Sequence, residues 1–150
     1  MDTIRLMTDR LIVMIAQPGT VYKGTRFDWN GFITQVTLRD ARGAEHTFCI
    51  PESLIEGEGT GGIGLCNEFG IDMPIGYDEA QPGEPFVKLG IGLLVRPNGE
   101  PYNFFRPHQI ATPFPIHVEA DSTKATFVVE PVACRGYAAR LTKVLSVDGA

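Results

Sequence analysis

No lysine or arginine occurs in the 45 residues between Arg42 and Lys88. A stretch of that length without a cation has no electrostatic hold on a phosphate backbone. The net charge of −5 extends the exclusion to the whole chain, because nucleic acid and anionic membrane both require a basic face. Long hydrophobic runs are missing too, and none approaches the roughly 20 residues that span a bilayer. Only three cysteines occur, Cys49, Cys66 and Cys134, and no two form a CxxC pair. That argues against a disulfide framework or a zinc knuckle and leaves reduced thiols in a cytoplasmic protein as the expectation. The opening MDTIRLMTDR lacks the apolar core and small-residue cleavage site of a secretion signal. Hardly any window shows an apolar stripe at helical spacing, and eleven prolines punctuate the chain.

What is present reads as strands. Residues 3–8 alternate, with Ile4 and Leu6 on one face, and residues 11–16 are continuously apolar, as in a strand covered on both sides. Residues 32–39 alternate again. Asp40-Ala41-Arg42-Gly43 then makes a turn, and residues 45–50 form the returning strand. Further strands are expected over 86–96, 104–110, 116–120, 125–131 and 138–147. With 43% hydrophobic and 21% charged residues over 150 positions, the chain can bury a real core. Short strands separated by turn chemistry indicate an all-β fold, a β-sandwich of one domain over residues 1–150. Asp148-Gly149 announces a hairpin just before the sequence stops. The expectation is an incomplete sandwich, a fragment of a longer protein. The alternative is an open sheet edge that pairs with another chain, as in a homodimer.

The cation-free window carries nine of the eighteen carboxylates and nine of the seventeen glycines. Long glycine-rich loops are costly to order and are usually kept because they line a site. Acids and amides interleaved with Phe69 and Tyr77 suit a neutral, hydroxyl-rich ligand or a cation. A solvated surface loop is the plain alternative. The glycines at 59–64 are not a phosphate cradle, since no lysine follows as in a P-loop. The loop also lacks the spacing of an EF-hand. Arg26, Lys88 and Arg106 remain as anchors should a sugar phosphate bind.

Arg26 presents five donors in a fixed fork, suited to a carboxylate or to several sugar hydroxyls. Asp28, two residues on, shares its face in an extended segment and would pair with it, either in the cleft or as a local structural ion pair. Trp29 could stack on a sugar ring or sit in the core. Asn67 and Glu68 form a polar pair in an apolar, glycine-flanked stretch. There Glu68 must be hydrogen-bonded or have its pKa raised, and it is a candidate acid/base residue. Tyr77, Asp78 and Glu79 make a second polar cluster, whose adjacent carboxylates point apart in an extended segment. His108 is a catalytic candidate, with a surface histidine after a proline as the plain alternative. His46, His108 and His117 share no ligand-type spacing with one another or with a cysteine, so no metal is expected.

Several of these segments together resemble a known family. GTRFDWNGFI at residues 24–33, GIGLCNEFGI at 62–71, GYDEAQPGEPFVKLGIGLL at 76–94 and GYAARLTKVLSVDG at 136–149 look like a bacterial subgroup of the aldose 1-epimerase-like (galactose mutarotase-like) proteins. The resemblance runs in the expected order over roughly residues 20 to 149. It implies the amino-terminal half of a β-supersandwich that binds a free small-molecule sugar and interconverts its anomers without a cofactor. It places a ligand-binding loop near Glu68 and puts the principal carboxylate base beyond Ala150. Activity is therefore not expected from these 150 residues alone. The histidine typical of this half is not found in that loop, since none occurs between His46 and His108. A non-catalytic carbohydrate-binding sandwich and an edge-pairing interaction module are the rival readings.

Overall fold

The computed structural model describes residues 3–149. Ten strands run in order: β1 (Thr3–Met7), β2 (Leu11–Ala16), β3 (Phe32–Arg39), β4 (Glu45–Thr47), β5 (Pro85–Lys88), β6 (Gly92–Val95), β7 (Ile110–Pro113), β8 (Ile116–Ala120), β9 (Lys124–Val129) and β10 (Leu141–Ser146). They form three antiparallel sheets, ordered β1-β2-β3-β4, β10-β9-β8 and β5-β6-β7. No sheet closes into a barrel, so the fold is all-β and sandwich-like. Among the described residues no helix is long and apolar enough to cross a membrane.

The sheets pack through strand alternation. Ile4, Leu6, Val13 and Ile15 from β1 and β2 meet Ala125 and Phe127 from β9 in one buried cluster. Val129, two residues further along the same face of β9, joins Val87 and Leu93 of the third sheet. One face of β9 thus serves two sheets. The three β9 side chains are completely buried, and each large one contributes roughly 1.5–3 kcal/mol. The expected two-sided burial of β2 holds in part: it lies between β1 and β3, with Val13, Ile15 and Ala16 buried and Leu11, Ile12 and Met14 half-covered.

Two expected strands are not formed. The run 86–96 is a hairpin, with β5 and β6 paired Phe86 to Leu94 and a turn closed by Ile91 N–H to Lys88 O at 3.1 Å. Gly90 has φ of 84°, and a Cβ there would meet Asp28 Oδ1 at 2.2 Å, so conformation and space both demand glycine. The run 104–110 is instead a loop, preceded by Pro101 and interrupted by Pro107. Phe105 N–H donates to Asn103 Oδ1 at 2.9 Å and Arg106 N–H to Asn103 O at 3.2 Å, and β7 begins only at Ile110. The Asp40 turn forms as expected, its carboxylate accepting the N–H groups of Arg42 and Ala44 at 2.8 and 2.9 Å. β10 lies at an edge of its sheet.

Most of the glycine-rich window lacks regular strands. It is attached to the sheets by isolated bridges, Ile33 with Leu65, Pro51 with Ile63 and Ile75 with Val87. Leu65 and Ile33 exchange both backbone hydrogen bonds at 3.0 Å. The window therefore pairs with the start of β3 and lies beside the segment joining β2 to β3.

Candidate functional site

The segment 24–30 is pinned at both ends, and that pinning aims its side chains. The Tyr22 hydroxyl accepts the N–H groups of Arg26 and Phe27, each at 3.1 Å. Its ring stacks on Phe32 at 5.0 Å. Asp28 N–H donates to Asn67 O at 2.8 Å, which ties the segment to the acidic loop. Bends rather than an extended strand result, and the i, i+2 face expected for Arg26 and Asp28 is lost. The two residues do not pair with each other. Arg26 turns toward the acidic loop and Asp28 turns inward.

Arg26 Nε donates to both Glu68 oxygens at 3.1 Å, and Nη1 reaches Glu52 Oε1 and Thr60 Oγ1, also at 3.1 Å. Its guanidinium lies 4.6, 4.4 and 5.4 Å from the ring centres of Phe27, Phe104 and Phe105. Arg26 and Glu68 keep 16% and 12% of their side chains exposed, enough to meet a ligand but little enough to weaken solvent screening. Glu68 is thus satisfied by hydrogen bonds, the first of the two outcomes its position required. The Thr60 N–H, donating at 2.6 Å, holds the Glu52 carboxyl below its usual range.

Asp28 sits in a separate knot. Its Oδ1 accepts from Asn30 N and Nδ2 at 2.9 and 2.7 Å, while Oδ2 receives the Lys143 ammonium. Lys143 also donates to Asn30 O at 2.7 Å and Asn67 Oδ1 at 3.1 Å, and it approaches the Phe69 ring at 5.8 Å. Asp28 is 1% exposed, so its task here is to join β10 to the segment before β3.

A third polar group surrounds Tyr102. Lys88, at the end of β5, is 1% exposed and donates to Phe69 O at 2.6 Å. Its ammonium lies 5.2 Å from the Tyr102 ring centre, and His108 stacks on that ring at 5.2 Å. The Tyr102 hydroxyl and His108 Nδ1 are buried without a hydrogen-bond partner among the described residues. A buried polar group left unpaired costs about 1–3 kcal/mol. Burial pushes Lys88 down to about 8, Tyr102 up to about 12, and His108 below its ordinary value. At pH 7 Lys88 is therefore charged and His108 neutral.

Two clefts open beside these groups. The larger, about 550 Å³, is lined by Asp72, Glu100, Tyr102, Asn103, Phe104 and Arg106 among others. The smaller, about 210 Å³, has Arg26, Thr60, Phe104, Phe105 and Arg106 in its wall. Phe104 and Arg106 belong to both, so the clefts adjoin. Phe105 is 63% exposed, an aromatic face available for stacking.

The structure brings Arg26, Glu68, Asn67, Phe69 and His108 into this neighbourhood. Trp29 packs between two core clusters with its indole N–H given to Gly24 O at 2.9 Å. Tyr77 is buried, its hydroxyl donating to Glu100 O at 3.0 Å. Asp78 stands exposed at the surface. Glu52, Thr60, Tyr102, Phe104 and Phe105 were not anticipated as site residues, and Lys88 only as an anchor for a sugar phosphate. Lys88 carried a signal, as the lysine that ends the cation-free window on a buried strand. Phe104-Phe105 was hidden by being read as strand. Among the described residues no group of three or more His, Cys, Asp or Glu could hold a metal ion.

No family model, curated protein or solved structure matches the chain.

Proposed function

We propose that this chain binds a free, unphosphorylated aldose against Arg26, Thr60, Phe104 and Phe105. In its full-length form it interconverts the sugar's anomers, as the aldose 1-epimerase-like resemblance implies. The observation that carries the reading is Arg26 set among three aromatic rings with Glu68, Glu52 and Thr60 on its donors. Sugars present C–H faces and hydroxyl rims together, and this wall offers an aromatic surface beside charge-assisted donors and acceptors. The carboxylates leave little net positive charge for a phosphate. Anomer exchange further needs a base at the anomeric hydroxyl and an acid at the ring oxygen. The resemblance puts the principal base outside these residues, and Glu68 and His108 are the candidates within them.

A non-catalytic carbohydrate-binding sandwich is the second reading. It is favoured by the Arg26–Glu68 pair itself, because both Glu68 oxygens already accept the Arg26 Nε–H and are held as part of a binding wall.

NMR exchange spectroscopy on aldose anomers separates the two. The full-length protein should accelerate exchange above the buffer rate, and the 150-residue chain should bind aldose without accelerating it. Arg26→Met should abolish binding in both. A full-length protein that binds aldose yet leaves exchange at the buffer rate would eliminate the isomerase and leave the binding module.

A further inference from the structure

Lys88 is the most anomalous cation in the molecule. An ammonium has three donors, and here one is used, on the Phe69 carbonyl at 2.6 Å. Among the described residues it makes no ion pair, although it is 1% exposed. Burying a charge so poorly partnered is expensive, and in native proteins such groups cluster where a ligand completes them. The neighbours point the same way. Tyr102 has a buried hydroxyl with no partner, and His108, 8% exposed, has a buried Nδ1 with none. One ring links all three, since Lys88 and His108 both lie against Tyr102, and Tyr102 also lines the larger cleft.

We infer that Lys88 is the hydrogen-bond donor that grips an oxygen of the bound aldose, with Tyr102 and His108 meeting the neighbouring hydroxyls. This rests on the sugar-binding reading above. A sugar hydroxyl both donates and accepts, so a polyol can accept from the ammonium while donating to His108 Nδ1. The formal charges nearby, Arg26, Lys88 and Arg106 against Glu52, Glu68, Asp72 and Glu100, leave one negative charge in excess, which favours a neutral polyol over an anionic one. No proton need move for this role. A hydrogen bond accepted from the ammonium stabilises its charged form and raises its pKa.

The chain has four lysines, Lys23, Lys88, Lys124 and Lys143, so carbon-13 labelling at lysine Cε gives four NMR signals. Lys88→Met identifies the one in question. In the free protein that signal should titrate near 8 and move upward as D-glucose, D-galactose or D-xylose is added to saturation. Lys88→Met should also weaken aldose binding about tenfold or more while melting no lower than the wild type. Aldose that shifts Phe105 and Arg26 signals but leaves Lys88 unmoved would overturn the inference and spare the binding reading. No shift anywhere with any of the three sugars would overturn both. Full affinity in Lys88→Met would also overturn it, and should that variant fail to fold, the wild-type titration decides.

Discussion

Two strand lysines meet opposite fates, one within β10 and one at the end of β5. Lys143 on β10 has three acceptors, Asp28, Asn30 and Asn67, one for each proton of its ammonium. Lys88 on β5 has one, the Phe69 carbonyl. Both touch the same short loop, for Asn67 and Phe69 are neighbours but one. The saturated ammonium is a fastener between β10 and the segment ahead of β3. The unsaturated one carries a desolvation cost that one hydrogen bond and one ring contact offset only in part. Saturation, rather than burial or charge alone, separates a structural ion from a candidate ligand contact.

The sharpest way to break the contrast is to empty the fastener. Asp28→Ala would leave Lys143 with a half-buried charge and no counterion. It should cost about 3–5 kcal/mol in urea denaturation, the usual penalty for halving a buried pair. A loss below 1 kcal/mol would show that solvent reaches Lys143 and that the knot is not what joins β10.

Lys88 should show the reverse dependence on pH. Its folded pKa of about 8 lies below the ordinary 10.5, so between those values the unfolded chain binds the extra proton. Stability should therefore rise with pH from about 8 toward 10.5, by roughly 3 kcal/mol if the whole shift is realised. Cys66 and Tyr102, whose pKa values are raised by burial, act against this as pH climbs. The measurement is thus the difference between wild type and Lys88→Met over pH 7.5–9.5. Parallel curves would mean that Lys88 is solvated and its contrast with Lys143 unreal.

The smallest effect belongs outside both clusters. Asp78→Asn, at an exposed position, should change stability by less than about 0.5 kcal/mol and leave aldose binding unaltered. A measurable loss of binding would extend the site across the surface to the second polar cluster.

The strands that the sequence displayed most clearly were short alternating or continuously apolar runs set off by turn residues. β2, β3 and β8 fall on residues 11–16, 32–39 and 116–120 as expected. The run 86–96 misled because both strands of the hairpin are apolar and its turn rests on one glycine, whose need appears only when Asp28 is brought against it. Phe104-Phe105 misled because two aromatics in series look like strand, while the Asn103 side chain and two flanking prolines impose a loop. Arg26 and Glu68 were legible as polar residues in unusual company. Their partnership was not, since it joins residues 42 apart through a loop with little regular structure. Local pattern reports which face a residue takes, but not which distant residue will meet it there.

Trp29 is the only tryptophan, and its indole spans the seam between the cluster around Tyr22 and Phe27 and the cluster around Tyr77 and Phe86. One edge of the ring packs on Gly19, where an added Cβ would come within 3.1 Å of it. The nitrogen edge is bonded to Gly24, two residues before Arg26. Its fluorescence is consequently a single-site optical signal from the pinned segment that aims the guanidinium. Emission and quenching follow that segment without any label, in the same cuvette in which sugar is added.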